Sequence, residues 1–255
     1  MQHSQKKKIK TKQFFISNKF SIIIPALNEG KNLRLIVEKI YYHLKNFNFE
    51  IIVIDDNSND GSKTILHYLK KKYLNLNFVV RKKKPDLSKS VIEGFEKSKY
   101  ASILVMDADM QHNPVYLPKM VTLFFSSNKD FVIGTRDFNK KLGLSFIRQN
   151  LSKIVIIFIN LILGFRTKDP MSGFFMFKKK IYKKNKKKLF GKGFKILFDL
   201  LYSANELKIE DLFIKFDKRK NNSSKMSLKI LFLLIQSISC KFFQNKFNCK
   251  YVYSF

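Results

Sequence analysis

Short runs of β-branched and large apolar residues, separated by stretches with helical spacing, constrain this chain more than any other feature. Phe20-Ser21-Ile22-Ile23-Ile24-Pro25 is the first, and Glu50-Ile51-Ile52-Val53-Ile54 the second. Residues 76–80 (LNFVV) and Ile103-Leu104-Val105-Met106 follow. The runs are apolar at consecutive positions, so each is predicted to be a strand buried on both faces. Between them, Leu33, Ile36, Val37, Ile40 and Leu44 recur at helical spacing, as do Ile65, Leu66 and Leu69. A third helix is predicted over residues 89–98. Alternation of this kind specifies an α/β fold with a mostly parallel central sheet flanked by helices. In such sheets ligands bind outside the carboxyl ends of the strands. Three of the runs end in polar clusters there: residues 25–29, 55–62 and 107–111.

A chain of 255 residues fits one such domain with a small appendage. The expected organisation is a basic, disordered tail over 1–18, a catalytic domain over 19–227, and amphipathic, membrane-proximal helix and tail over 228–255.

Fifty Lys and Arg face 19 Asp and Glu, a net charge of +31 that draws a chain toward polyanions such as nucleic acid or an anionic membrane. Part of the excess is compositional, because Lys, Asn, Ile and Phe are abundant together. Residues 178–188 nevertheless hold eight lysines, and Arg81-Lys82-Lys83-Lys84 forms a second block. The basic N-terminus, with Lys6, Lys7, Lys8, Lys10 and Lys12, lacks the apolar core of a signal peptide. Cys240 and Cys249 make no disulfide framework and no metal-binding CxxC. No apolar run reaches the length of a membrane span. Residues 154–165 (IVIIFINLILGF) and 228–243 are shorter, lysine-flanked stretches that suit either interfacial helices or buried core.

Asp107, Asp109 and Gln111 are spaced two apart at the end of the fourth run. On an extended backbone they would point to one side and offer hard oxygen ligands suited to Mg²⁺ or Mn²⁺ bridging to phosphate. The alternative is an Asx turn that closes the strand. Asp55 and Asp56 end the second run, where acidic residues hydrogen-bond nucleotide hydroxyls or bases; helix capping by Ser58 or Asp60 is the competing role. His112 reads as a loop hydrogen-bonder, and His3, His43 and His67 as surface residues. Neither GxGxxG nor GxxxxGK[ST] occurs, so a dinucleotide site or a P-loop is not indicated.

The segments SIIIPALNE, EIIVIDDNSNDGS, MDADMQHNP, IGTRDF, DPMSGFFMF and GFKILFDLL occur in the order found in family 2 glycosyltransferases of the GT-A fold. More narrowly the chain resembles the branch that includes dolichol-phosphate mannosyltransferase and bacterial polyprenyl-phosphate glycosyltransferases, over about residues 20–225. That resemblance implies an inverting transfer of a sugar, mannose ahead of glucose, from a nucleotide-sugar (GDP-mannose favoured) to a polyprenyl phosphate at the cytoplasmic face of a membrane. It places Pro25, Leu27, Glu29, Ile54, Asp56, Asp107 and Ala108 at the nucleotide-sugar, and Asp109 and Gln111 at the metal. Arg136, Arg148 and Ser152 are implied for the acceptor phosphate, Arg219 and Lys225 for the diphosphate, and Asp109, Arg136 and Arg148 for catalysis. Arg34, Arg81 and Arg166 receive no role, which leaves a generic solvated arginine open for any one of them. The chain departs from its relatives at Asp86, where they usually carry glycine, and at Asn222 within the R-x-x-G-x-S-K element.

Two other functions compete. Transfer to a saccharide acceptor keeps the fold and metal but favours a separate catalytic base, which no carboxylate clearly supplies. A non-catalytic basic protein that binds nucleic acid or membrane fits the charge, but acidic clusters at the strand ends would repel a polyanion. A nucleic acid partner is therefore not expected.

Overall fold

The computed structural model describes residues 17–136, 156–157, 159–161, 164–193, 196–215, 236 and 238–239. Residues 1–16 of the basic tail, most of the segment 228–255, Cys240 and Cys249 lie outside them.

The apolar runs form strands β1 (Lys19–Ala26), β2 (Asn48–Asp55), β3 (Leu76–Val80) and β4 (Ser102–Val105). Helices α1 (Gly30–His43), α2 (Ser62–Lys72) and α3 (Leu87–Lys97) connect them. Beyond β4 come α4 (Leu117–Ser126), β5 (Phe131–Arg136), β6 (Phe175–Lys178), α5 (Lys179–Asn185), α6 (Ile196–Ser203) and β7 (Ile209–Ile214). All seven strands join one sheet in the order β3-β2-β1-β4-β6-β5-β7. The first four strands pair in parallel, as does β5 with β7; β6 runs antiparallel to both β4 and β5.

Each strand feeds both faces of the sheet. Ile22, Ile24, Ile51 and Val53 pack on one side with Leu33, Ile36, Leu66, Leu69 and Met120 of α1, α2 and α4. Ile23, Ile52 and Ile54 pack on the other with Val91, Phe95, Ile181 and Leu200 of α3, α5 and α6. Complete burial of Ile22, Ile23 and Ile24 explains the uninterrupted apolar run. Each such side chain contributes about 1.5–3 kcal/mol relative to exposure.

The sheet order reverses at β1. The chain moves outward through β2 and β3, then returns to place β4 on the other side of β1. A crevice opens at such a switch point beyond the carboxyl ends of the two strands. Residues 25–29 and 106–112 flank it.

Within residues 154–165, burial is divided. Ile156 and Ile159 are buried, whereas Ile157, Leu161 and Phe165 are 54%, 77% and 79% exposed. No helix among the described residues is long and apolar enough to cross a membrane.

Candidate active site

The loops after β1 and β2 are stitched into one rim. The Asn28 amide donates to Ser58 Oγ (2.8 Å), the Asn59 amide to Asn28 Oδ1 (3.0 Å), and the Gly30 amide to Asp60 Oδ2 (2.8 Å). Asp55 is fully buried and accepts from the Ser58 amide at 2.9 Å, so it shapes its own loop. Neither Ser58 nor Asp60 stands at the cap position of α2, which Gly61 occupies. Pro25 and Ile54 are buried at their strand ends, while Leu27 and Glu29 are partly exposed on the rim.

Asp56 sits beside this rim with both carboxylate oxygens engaged. Oδ1 pairs with the Arg81 guanidinium, and Oδ2 accepts from the Asp86 amide at 2.6 Å. Burial raises the carboxyl above its ordinary value, and the charge of Arg81 opposes the shift without cancelling it. Arg81 is therefore not solvated, as its lysine-rich neighbourhood suggested. It is 4% exposed, reaches Ser90 Oγ at 3.0 Å, and lies 3.2 Å from Glu93 Oε2. Arg34 is the surface residue expected, paired with Glu38 one helical turn on. Arg166 is instead held against the body, donating to the Leu201 and Ala204 carbonyls and lying 5.2 Å from the Tyr202 ring centroid.

The chain does not stay extended through the DxD. Met110 takes a left-handed conformation (φ 65°), and Asp109 Oδ1 accepts from the Gln111 amide at 3.0 Å. This is an Asx turn. It forms because an aspartate two residues ahead offers the amide a nearer acceptor than a strand partner would. The turn places Asp109 and Gln111, 7% and 8% exposed, just beyond β4, and Ala108 is buried with them. A carboxylate and an amide oxygen are hard donors, so the pair fits Mg²⁺ or Mn²⁺. Among the described residues no three His, Cys, Asp or Glu side chains form a closed cage. An ion held by Asp109 and Gln111 would complete its shell with water and substrate phosphate, the usual arrangement for Mg²⁺.

Asp107 occupies the neighbouring position, its side chain 32% exposed and its Oδ2 3.8 Å from His112 Nδ1. His112 is buried and stacks on Phe174, with ring centroids 5.5 Å apart. The opposite wall is the backbone of Gly173. A Cβ there would lie 2.0 Å from Asp107 Oδ2 and 2.6 Å from Cγ, so only glycine leaves the carboxylate its place. The wall is tied to β5: the Ser172 hydroxyl donates to the Gly134 carbonyl (2.6 Å), and the Gly134 amide to the Phe174 carbonyl (2.8 Å).

Arg136 ends β5 on this wall. Its Nε and Nη2 donate to Asp169 at 2.6 and 2.9 Å, a bidentate fork on a completely buried carboxylate. Burial opposes the guanidinium charge, yet Asp169 and, more weakly, Asp107 hold its pKa above the ordinary value. The structure thus brings Asp107, Asp109, Gln111 and Arg136 to one end of the sheet, with Asp56 on the β2 side of the same end. Arg148, Ser152, Arg219 and Lys225 lie outside the described residues. Asp169, Gly173 and Arg81 received no role from the sequence. The signals for them were the Asp-Pro and Ser-Gly ahead of β6, and a lone arginine leading three lysines.

Comparison with solved structures places this architecture among GT-A enzymes. Glucosyl-3-phosphoglycerate synthase from Mycobacterium tuberculosis, in complex with Mn²⁺, UDP-glucose and phosphoglyceric acid, superposes with a TM-score of 0.67 over 89% of this chain and 79% of that one, at 14% identity. The same enzyme with Mg²⁺ and UDP gives a TM-score of 0.66 at 14% identity, over 89% and 78% of the two chains. Among curated proteins, dolichol-phosphate mannosyltransferase from Pyrococcus furiosus is 33% identical over 86% of this chain, which spans 62% of the length of that relative. The protein of that name from Mycosarcoma maydis is 31% identical over 86% of this chain and 77% of its own length. The one from Saccharomyces cerevisiae is 29% identical over 88% and 86%. The model of the family described as "Glycosyl transferase family 2" matches residues 21–185, from the first buried strand through the DxD to the helix after β6, and the chain belongs to that family.

Proposed function

We propose that this protein is an inverting mannosyltransferase that moves mannose from a nucleotide-sugar, GDP-mannose first among them, to a polyprenyl phosphate at the cytoplasmic face of a membrane. The observation that carries the reading is the meeting of the Asp107–Gln111 turn with Arg136 at one end of the sheet, in a chain whose 29–33% identical relatives bear the name dolichol-phosphate mannosyltransferase.

The reaction needs few parts. An oxygen of the acceptor phosphate bonds to the anomeric carbon as the bond from that carbon to the donor diphosphate breaks, and the nucleoside diphosphate leaves with the electron pair. The acceptor is already anionic at neutral pH, so no general base is required. Asp109 and Gln111 would hold a divalent ion, which would supply neutralisation of charge on the diphosphate. Asp56, Pro25, Leu27, Glu29 and Ile54 form the nucleotide rim. Asp107 and Ala108 face the nucleotide-sugar. Arg136, fixed in orientation by Asp169, aligns the acceptor phosphate, with Arg148 and Ser152 assigned to the same phosphate and Arg219 and Lys225 to the leaving diphosphate.

Membrane attachment is peripheral in this reading. Ile157, Leu161 and Phe165 are spaced by four residues and exposed, and Lys168 Nζ lies 4.4 Å from the ring centroid of Phe213, itself 52% exposed. Apolar side chains bordered by lysines suit an anionic lipid surface.

Asp109→Ala tests the assignment. Transfer of labelled mannose to a polyprenyl phosphate should fall at least about a hundredfold, with the circular dichroism spectrum unchanged. Wild-type activity in the folded variant removes Asp109 from the mechanism.

A further inference from the structure

Asp86 makes more distinct connections than its place in a loop between β3 and α3 suggests. Its amide donates to Asp56 Oδ2 (2.6 Å). Its carbonyl accepts from the Ser90 hydroxyl at 3.1 Å and from Arg81 Nη1 at 3.4 Å. Its side chain does two further things. Oδ1 caps α3 by accepting from the Lys89 amide (3.0 Å), and Oδ2 accepts from the Gly193 amide (2.8 Å), 107 residues along the chain. The Ser88 amide returns a bond to the Gly193 carbonyl at 2.8 Å, closing a ring between the first turn of α3 and the segment 190–193. Gly193 has φ 88°, a left-handed conformation that glycine adopts without strain.

The other end of that segment is pinned as well. Asp199 of α6 accepts from the Phe190 amide at 2.9 Å and the Gly191 amide at 2.7 Å. Two carboxylates, one capping α3 and one within α6, therefore hold a four-residue stretch that Asp86 links to Asp56. Asp199 fixes it to its own side of the fold, and Asp86 fixes it to the nucleotide rim.

We propose that Asp86 is a positioning residue of the donor site: through its amide it orients Asp56, and through its carboxylate it latches the segment 190–193 to the same helix turn, so that the two move as one body. The inference rests on the reading of Asp56 as a nucleotide contact. A carboxylate is required because one side chain accepts from two amides, Lys89 and Gly193, through separate oxygens. Asparagine keeps an oxygen for the helix cap and presents an N–H where the Gly193 amide needs an acceptor. Glycine loses both bonds while retaining the amide on Asp56.

The test uses the full-length protein, with GDP and UDP as probes in the presence of Mg²⁺. Calorimetric affinity, hydrogen exchange of peptides containing Gly191 and Gly193, and melting temperature are measured for wild type, Asp86→Gly, Asp86→Asn and, as a purely structural control, Asp130→Asn. Asp130 accepts from the Lys208 amide at the far edge of the sheet (3.1 Å). The latch requires that the glycine variant bind the preferred nucleotide about tenfold more weakly, with exchange at Gly191 and Gly193 accelerated. The asparagine variant should fall between it and wild type, and the control should lose melting temperature without losing affinity. Should the glycine variant fail to fold, the asparagine variant decides alone. Wild-type affinity in variants whose segment exchanges faster overturns the positioning role, and so does unchanged exchange at Gly193. If wild type binds neither nucleotide, the donor-site reading itself fails and the inference with it.

Discussion

Replacing Gly173 by alanine puts a methyl group where the Asp107 carboxylate lies. The added carbon would stand 2.0 Å from Oδ2, 2.6 Å from Cγ and 2.8 Å from Oδ1, against a practical limit of 3.0 Å for such contacts. The carboxylate must therefore retreat by about 1 Å or more. It has somewhere to go, because the Asp107 side chain is 32% exposed on the crevice side. Stability should change little, by under about 1 kcal/mol, which shifts the melting temperature of a domain this size by roughly 2–4 °C. Activity should not be spared. A displacement of about 1 Å in a positioned group costs on the order of a hundredfold in rate, equivalent to about 2.7 kcal/mol of transition-state stabilisation. The assay is transfer of labelled mannose from GDP-mannose into an organic-extractable lipid, run beside thermal melts of both proteins. A folded Gly173→Ala protein within threefold of wild type would refute the claim that the Gly173 backbone seats Asp107 for the reaction. A large loss of melting temperature together with activity would refute the separation of seat from scaffold.

Other expectations follow from the same contacts. Arg81→Ala leaves Asp56 buried without its cation and should cost about 3 kcal/mol in urea denaturation, whereas Arg34→Ala on the surface should stay within about 0.5 kcal/mol; equal effects would contradict the burial of the Asp56–Arg81 pair. Burial raises the Asp60 carboxyl, but hydrogen bonds from Ser62 and Gly30 outweigh it and hold the group below its ordinary value. Its contribution is thus present above that value and lost as pH falls through the lower folded one. Asp60→Asn should flatten the acid limb of a melting-temperature profile, and an unchanged limb would show that Asp60 does not stitch the two loops. A Leu161→Ser, Phe165→Ser double variant should bind anionic phosphatidylserine vesicles about tenfold less tightly in sedimentation; equal binding would remove that face from the membrane contact.

Strands β1, β2 and β4 were legible because burial on both faces leaves an uninterrupted apolar run, and the polar clusters behind them located the site. Their parallel pairing was legible too, from the alternation with helices; the reversal of β6 was not. Phe175 and Phe177 on one face and Met176 on the other are buried in an antiparallel strand as fully as isoleucines are in a parallel one, so β6 carries no mark of its reversal. The same limit applies at Asp109. Spacing alone favoured an extended backbone, but the aspartate's own ability to accept a hydrogen bond from the amide two residues on bends the chain there. Arg81 looked solvated because its partner Asp56 lies 25 positions away and its neighbours are lysines. Asp86 looked like a lost glycine and an added charge. Its value depends on Gly193, which no local pattern connects to it. What the sequence hides in each case is a contact made across the fold by a residue whose own neighbours say something else.

The most direct test of the central claim pairs donors with acceptors. Purified protein is incubated with GDP-mannose, GDP-glucose, UDP-glucose or UDP-N-acetylglucosamine, each with a short-chain polyprenyl phosphate or a soluble oligosaccharide, with and without Mg²⁺, and products are identified by mass spectrometry. The expected result is a mannosyl phosphate ester of the polyprenol, formed from GDP-mannose when the ion is present. Sugar delivered to the oligosaccharide instead, or no lipid product from any donor, would contradict it.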